Sequence, residues 1–182
     1  MFKRFQRPIL LIFFLLVIPP FFYFFNYTPP ASPNMDNKTA YELPYPGLLP
    51  DHPLYLLKTI RDRTLVFVTR DYETRSKIQL ELSDKRVRAG ELLMDESKYE
   101  LAITTFSKGE RYFEQAIETL QSARTQGQAP TASMVDQMKR SNLKHAEILK
   151  RSSKKISTSL KTEFDLILAL NLKNGNSLQS LK

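Results

Sequence analysis

The chain has 182 residues, 27 Lys and Arg against 19 Asp and Glu, a formal net charge of +8 and no cysteine. That length allows one modest core with appendages. Without thiols there is no lipoprotein anchor and no thiolate metal site, and the redox compartment stays open.

Lys3, Arg4 and Arg7 precede an uncharged apolar run from Ile9 to Phe25. Its 17 residues correspond to about 25 Å of helix, close to a hydrocarbon core of about 30 Å. Pro19 and Pro20 would kink it. A cleaved secretory signal would need small residues after the break. The residues there are Phe21, Phe22, Tyr23, Phe24 and Phe25, which suit a membrane–water interface. The run therefore reads as an uncleaved signal anchor over 9–25. Three cations lie before the span, and between it and residue 50 only Lys38 is basic. The positive-inside rule then leaves residues 1–8 as a cytoplasmic stub and exports the rest. The expected location is the cell membrane, single-pass, with an extracytoplasmic C-terminal domain.

Ten of the 11 prolines lie at or before Pro53. Residues 26–50 carry six of them and read as an extended, semi-rigid tether. Asn26-Tyr27-Thr28 and Asn37-Lys38-Thr39 match the glycosylation sequon, a pattern short enough to arise by chance.

From Asp51 a helical period takes over, giving a helical domain over 51–172. A first helix is predicted from Pro53, with Asp51 near its positive end and Leu57, Ile60, Thr64 and Phe67 as one stripe. Asp71 caps a second helix running to about Met94, with Ile78, Leu82, Ala89 and Leu93 on one face. Ser97 and Glu100 fit a capping box for a third helix that stops before Gly127. On this helix Tyr99, Ile103, Phe106, Glu110, Phe113, Ile117 and Leu120 form a heptad seam with one charged interruption. Beside it Ala102, Gly109, Ala116 and Ala123 recur every seven residues, a stripe of small side chains that lets a partner backbone come close. The short connection to the second helix makes that partner an intramolecular hairpin rather than a second copy. Glu110 is expected to pair with Arg86 or Lys85. A fourth helix begins near Thr131 or Ser133, with Val135, Met138, Ala146 and Leu149 inward, and weakens at Ser152 and Ser153. A last helix covers about 160–172 with Phe164, Ile167 and Leu168, and residues 173–182 are expected to fray past Gly175. The expected fold is all-α: a single transmembrane helix, a tether, then four to five helices built around a long antiparallel hairpin.

The stretch from Pro46 through Pro50-Asp51-His52-Pro53-Leu54-Tyr55 to Lys58 and Arg61-Asp62-Arg63 resembles the opening of an uncharacterised bacterial domain family. Asp71-Tyr72-Glu73 is also similar, with Tyr72 in place of the family's proline. The resemblance spans about 43–172. It implies a helical hairpin in a membrane-anchored, often exported protein, and carries no activity.

Charge is uneven. Residues 51–130 hold 13 basic and 13 acidic side chains, whereas residues 131–182 hold ten basic and four acidic. Lys139, Arg140, Lys144, Lys150, Arg151, Lys154 and Lys155 recur along the fourth helix and are the candidate contacts for an anionic surface, against the plainer reading of a solvated face. No aromatic platform interleaves them, so nucleic acid is not an expected partner. His52 reads as turn chemistry and His145 as a helix-face residue. No cofactor, metal or nucleophile motif is present. The expected function is a non-enzymatic binding or scaffolding module of the cell envelope whose partners are the membrane and an anionic envelope component or a protein. A sensor signalling through its span is the alternative, weakened by a cytoplasmic stub of only eight residues.

Overall fold

The computed structural model describes residues 41–181. The stub, the apolar run, both sequons and the tether up to residue 40 lie outside the described residues. Those described form five α-helices with no strand among them: α1 (Tyr55–Val68), α2 (Tyr72–Asp95), α3 (Tyr99–Thr125), α4 (Ala132–Ser152) and α5 (Lys161–Ser177). Short 3-10 turns follow α4, precede α5 and close the chain at Leu178–Leu181. None of the described helices is long and apolar enough to cross a membrane.

α2 and α3 are the antiparallel hairpin that the heptad spacing predicts. Ala102, Gly109, Ala116 and Ala123 are all buried at its seam. α2 answers with its own seven-residue repeat of small side chains, Ser76, Ser83 and Gly90. Ser83 Oγ donates to the Gly109 carbonyl at 2.8 Å, and Ser76 Oγ donates to the Ala116 carbonyl at 2.9 Å. Such short bonds from one helix's side chains to the other's backbone need backbones in near contact. A Cβ on Gly109 would stand 2.9 Å from Val87 Cγ2 and 3.3 Å from the Val87 backbone nitrogen.

Local signals explain most helix ends. Asp71 caps α2 by accepting from Thr74 N–H at 2.7 Å, as its position implies. Ser97 does not form the predicted capping box. It takes a left-handed φ of 61°, and Lys98 N–H donates back to the Leu93 carbonyl at 2.9 Å, so Ser97 closes α2 in the geometry usually left to glycine. α3 starts with no side-chain cap. Gly127, with φ 80°, ends α3 in the same way, as predicted. Thr131 caps α4 through Met134 N–H at 3.3 Å. α1 begins at Tyr55, after a turn over 51–54 in which His52 Nδ1 accepts from Leu54 N–H at 3.1 Å. Asp51 is drawn to Lys98 Nζ at 2.5 Å.

The hydrophobic core lies in two clusters. One gathers Leu80, Phe113, Ile117, Leu120, Met134 and Met138; the other gathers Val87, Leu93, Phe106, Ile148, Leu149 and Phe164. Phe106 and Phe164 meet edge to face with ring centroids 6.0 Å apart. The expected frayed tail is corrected here. α5 continues through Gly175 to Ser177, and Leu178 and Leu181 bury themselves in the first cluster. The Asn-Gly-Asn-Ser run looks like a helix breaker, but Asn174 Nδ2 donates to the Glu110 carbonyl at 3.0 Å and anchors that turn to α3. The end of the expected tether also packs. Tyr41 donates to Asp84 Oδ2 at 2.5 Å, Leu43 lies on the second cluster and Pro46 is buried.

Between the two clusters sits a polar layer contributed by α2, α3, α4 and α5. His145 Nε2 lies 2.9 Å from Asp84 Oδ1 and His145 Nδ1 lies 3.0 Å from Glu110 Oε1. Ser141 Oγ donates to Asp84 Oδ1 at 2.5 Å. Asn171 Nδ2 and Asn174 Nδ2 reach Glu110 Oε2 at 3.3 and 3.1 Å. Two expectations are corrected: His145 is not on an exposed helix face, and Glu110 is not held by Arg86 or Lys85.

Candidate anion-binding groove

The polar layer invites a catalytic reading because it holds a serine, a histidine and two carboxylates. Its geometry argues otherwise. Ser141, His145 and Glu110 are each 0 % exposed. The serine hydroxyl donates to Asp84, so the imidazole does not activate it. Both ring nitrogens face carboxylate oxygens, an arrangement satisfied by an imidazolium donating twice. Burial alone would push this imidazole down; the hydrogen bonds to Asp84 and Glu110, with their charges, overcome that and hold it up at about 9. Asp84 also faces Tyr41, whose hydroxyl is pushed up by burial and by that carboxylate. A sealed, fully partnered cation of this kind is structural, because removing either partner would leave a buried charge uncompensated.

The accessible chemistry lies on the other side of the hairpin. α1 is laid across α2 and α3 by a stack of cations and rings. Arg86, buried in α2, sits 5.7 Å from the Tyr55 ring centroid and 5.0 Å from that of Tyr112, and its guanidinium donates to the Tyr55 hydroxyl. Lys58 Nζ also lies 5.7 Å from the Tyr55 ring centroid and donates to the carbonyls of Pro46 and Leu48. Burial pulls the Lys58 ammonium down to about 8. Asp62, the one buried residue of α1, is held by Arg61 at 2.9 Å.

This seating leaves an open groove of about 650 Å³ between α1 and the hairpin, to which Arg63, Arg75, Lys108 and Arg111 contribute the charge. Helical spacing puts them there. Arg63 and Phe67 are one turn apart on α1, Arg75 and Gln79 one turn apart on α2, and Lys108, Arg111 or Tyr112, Gln115 and Thr119 run down one flank of α3. No carboxylate lines the groove. None of its four cations enters an ion pair among the described residues. Arg75 is aimed by its Nε–H, which donates to the Thr69 carbonyl at 2.7 Å. Thr119 Oγ1 donates to Gln79 Oε1 at 2.8 Å and ties the two hairpin helices at the groove. Four uncompensated cations around one cleft raise the local concentration of anions and offer charge-assisted hydrogen bonds to phosphate or carboxylate oxygens.

Of the seven cations expected along the fourth helix, Lys154 and Lys155 fall in the 3-10 turn after α4, and four of the seven are engaged by carboxylates. Arg140 pairs with Asp136 at 3.1 Å, Lys144 with Glu147 at 3.0 Å and Lys155 with Asp95 at 2.8 Å, while Arg151 is engaged by Glu91, which also holds Arg88. Lys139, Lys150 and Lys154 have no ion-pair partner among the described residues, and they do not converge on a cleft. The groove escaped sequence reading because its four cations belong to a region with no net charge and come from three helices. The acidic residues that cancel them in the count point elsewhere.

No curated protein and no solved structure matches the chain. A family model described as a domain of unknown function, DUF5667, matches residues 47–159, which spans α1, the hairpin and α4. The expected membership of an uncharacterised domain family is thus met, and this chain belongs to the DUF5667 family.

Proposed function

We propose that this protein is a single-pass, membrane-tethered module of the bacterial cell envelope whose helical domain stands outside the cytoplasm and binds an anionic partner without catalysing a reaction. The observation that carries the binding half is the cleft of unpaired cations, Arg63, Arg75, Lys108 and Arg111, held open by the Tyr55–Arg86–Tyr112 stack. The tethered half is supported by the apolar run 9–25 and by the cation asymmetry across it. Catalysis has no support in the polar layer, where each candidate group is sealed from solvent and satisfied by its neighbours.

The test is a titration of the full chain in detergent micelles with a fluorescent polyanion such as inorganic polyphosphate. Binding should weaken with salt, because screening falls to about 8 Å at physiological ionic strength. Lys108 and Arg111 are exposed, so reversing both to Glu should spare the fold. At about 1 kcal/mol for each cation near the ligand, that reversal should lower affinity by tenfold or more. Reversing Lys150 on α4 and Lys154 in the 3-10 turn after it should have a much smaller effect. Equal losses from the two pairs would mean that net charge alone binds the polymer and that the groove is not a site.

A further inference from the structure

Leu56, Leu57, Ile60, Phe67 and Val68 of α1 are 67, 64, 54, 86 and 55 % exposed. At about 100° per residue they occupy a single outward arc of roughly 120°. The sequence stripe Leu57, Ile60, Thr64 and Phe67 is therefore real, but it faces away from the core. α1 is held to the bundle by its polar side instead: Tyr55 and Lys58 in the cation–ring stack, and buried Asp62. Arg63, without an ion-pair partner among the described residues, borders the arc on one edge, and Arg61, which is paired with Asp62, borders it on the other. An apolar stripe between arginines is the pattern of a helix lying in a headgroup layer, with the apolar side chains in the acyl boundary and the guanidinium groups among phosphates.

We propose that the outward face of α1 docks on the surface of the lipid bilayer in which the chain is anchored. The proposal rests on the tethered reading given above. Chain length favours this occupant. Tyr41 is fixed to α2 through Asp84, so only residues 26–40 separate the span from the docked domain. Fully extended, those 15 residues reach no more than about 54 Å. The membrane is therefore the apolar phase always within reach, at high effective concentration. The groove opens beside the same face, since Arg63 and Phe67 belong to both. A headgroup phosphate at the docked surface would lie close to the cations of α2 and α3.

The chain contains no tryptophan and no cysteine, which makes single-site reporters clean. The experiment takes the full chain in vesicles of phosphatidylglycerol and phosphatidylcholine carrying brominated acyl chains, with Phe67→Trp as the probe. Leu172→Trp, at an exposed site of α5, is the control. Docking predicts blue-shifted emission and strong bromine quenching for Phe67→Trp, with neither for Leu172→Trp. Combining Phe67→Trp with Leu57→Asp and Ile60→Asp should reverse both signals while the helical content of the chain is unchanged. An alkaline carbonate wash separates the two claims. If the chain washes off the vesicles, the tether is wrong and the docking fails with it. If the chain stays but the Phe67→Trp probe is unquenched, docking alone is overturned. A blue shift without quenching means that protein, such as a second copy, covers the face, and that also overturns the proposal.

Discussion

Replacing His145 with Ala is expected to destabilise the helical domain by about 3–5 kcal/mol, the cost of leaving buried charges without their partner. Asp84 and Glu110 sit in the interior with the imidazolium between them. Asn171, Asn174 and Ser141 supply neutral hydrogen bonds, yet none brings a positive charge. His145→Gln keeps part of the hydrogen bonding and should fall between wild type and His145→Ala. The pH dependence follows from the same geometry. The folded imidazole titrates at about 9 and the unfolded one near 6.5. Below 6.5 both states carry the proton and the stabilisation is complete. As pH rises, the unfolded chain loses its proton first, so stability declines across this interval and the contribution is gone above about 9. The total is on the order of 3 kcal/mol. Urea unfolding at a series of pH values measures it. A wild-type midpoint that is flat from pH 6.5 to 9, or one whose slope is unchanged in His145→Gln, would remove the imidazolium from the account.

The second large effect is expected at the hairpin seam. Gly109→Leu should cost roughly 1–3 kcal/mol through overpacking. The obstacle is the backbone of α2 as well as the Val87 side chain, so the helices must separate to admit the residue. Separation also lengthens the Ser83 bond to the Gly109 carbonyl. Leucine's better helix propensity, worth about 1 kcal/mol against glycine, offsets part of the loss. Gly90 offers a companion test, since a Cβ there would meet the Phe106 ring at 2.6 Å. Thermal melting of the two variants decides the point. A Gly109→Leu protein that melts at or above wild type would show that the seam tolerates a wide separation.

Much of the fold is legible in the chain because helix periodicity is a local property. The seam from Tyr99 to Leu120, the small stripe beside it, the Asp71 cap and the Gly127 stop all depend on residues within a turn or two. What stayed hidden depends on distant residues. Glu110 looks like an interruption of the seam until His145, 35 positions away, and Asn171, 61 positions away, are brought to it. Asn174 and Gly175 look like the start of a frayed end until α3 and α4 occupy their other side. Ser97 shows the limit of motif reading, because the same serine suits an N-cap and a left-handed helix stop, and the Lys98 bond to Leu93 decides between them. α1 misled differently. Its amphipathic period is genuine, but periodicity does not say which face turns inward. The groove drew on the same blind spot, since Arg63, Arg75, Lys108 and Arg111 are ordinary surface cations until three helices are laid side by side.

The proposed placement of this domain outside the cytoplasm, by a span near the N-terminus, is tested most directly by protease shaving of intact spheroplasts. With a C-terminal epitope on the full chain, external protease should destroy the epitope while a cytoplasmic marker survives, and the untreated protein should sediment with membranes at its full length. An epitope protected until the spheroplasts are lysed would contradict the account, as would a soluble, shortened protein that has lost the apolar run 9–25.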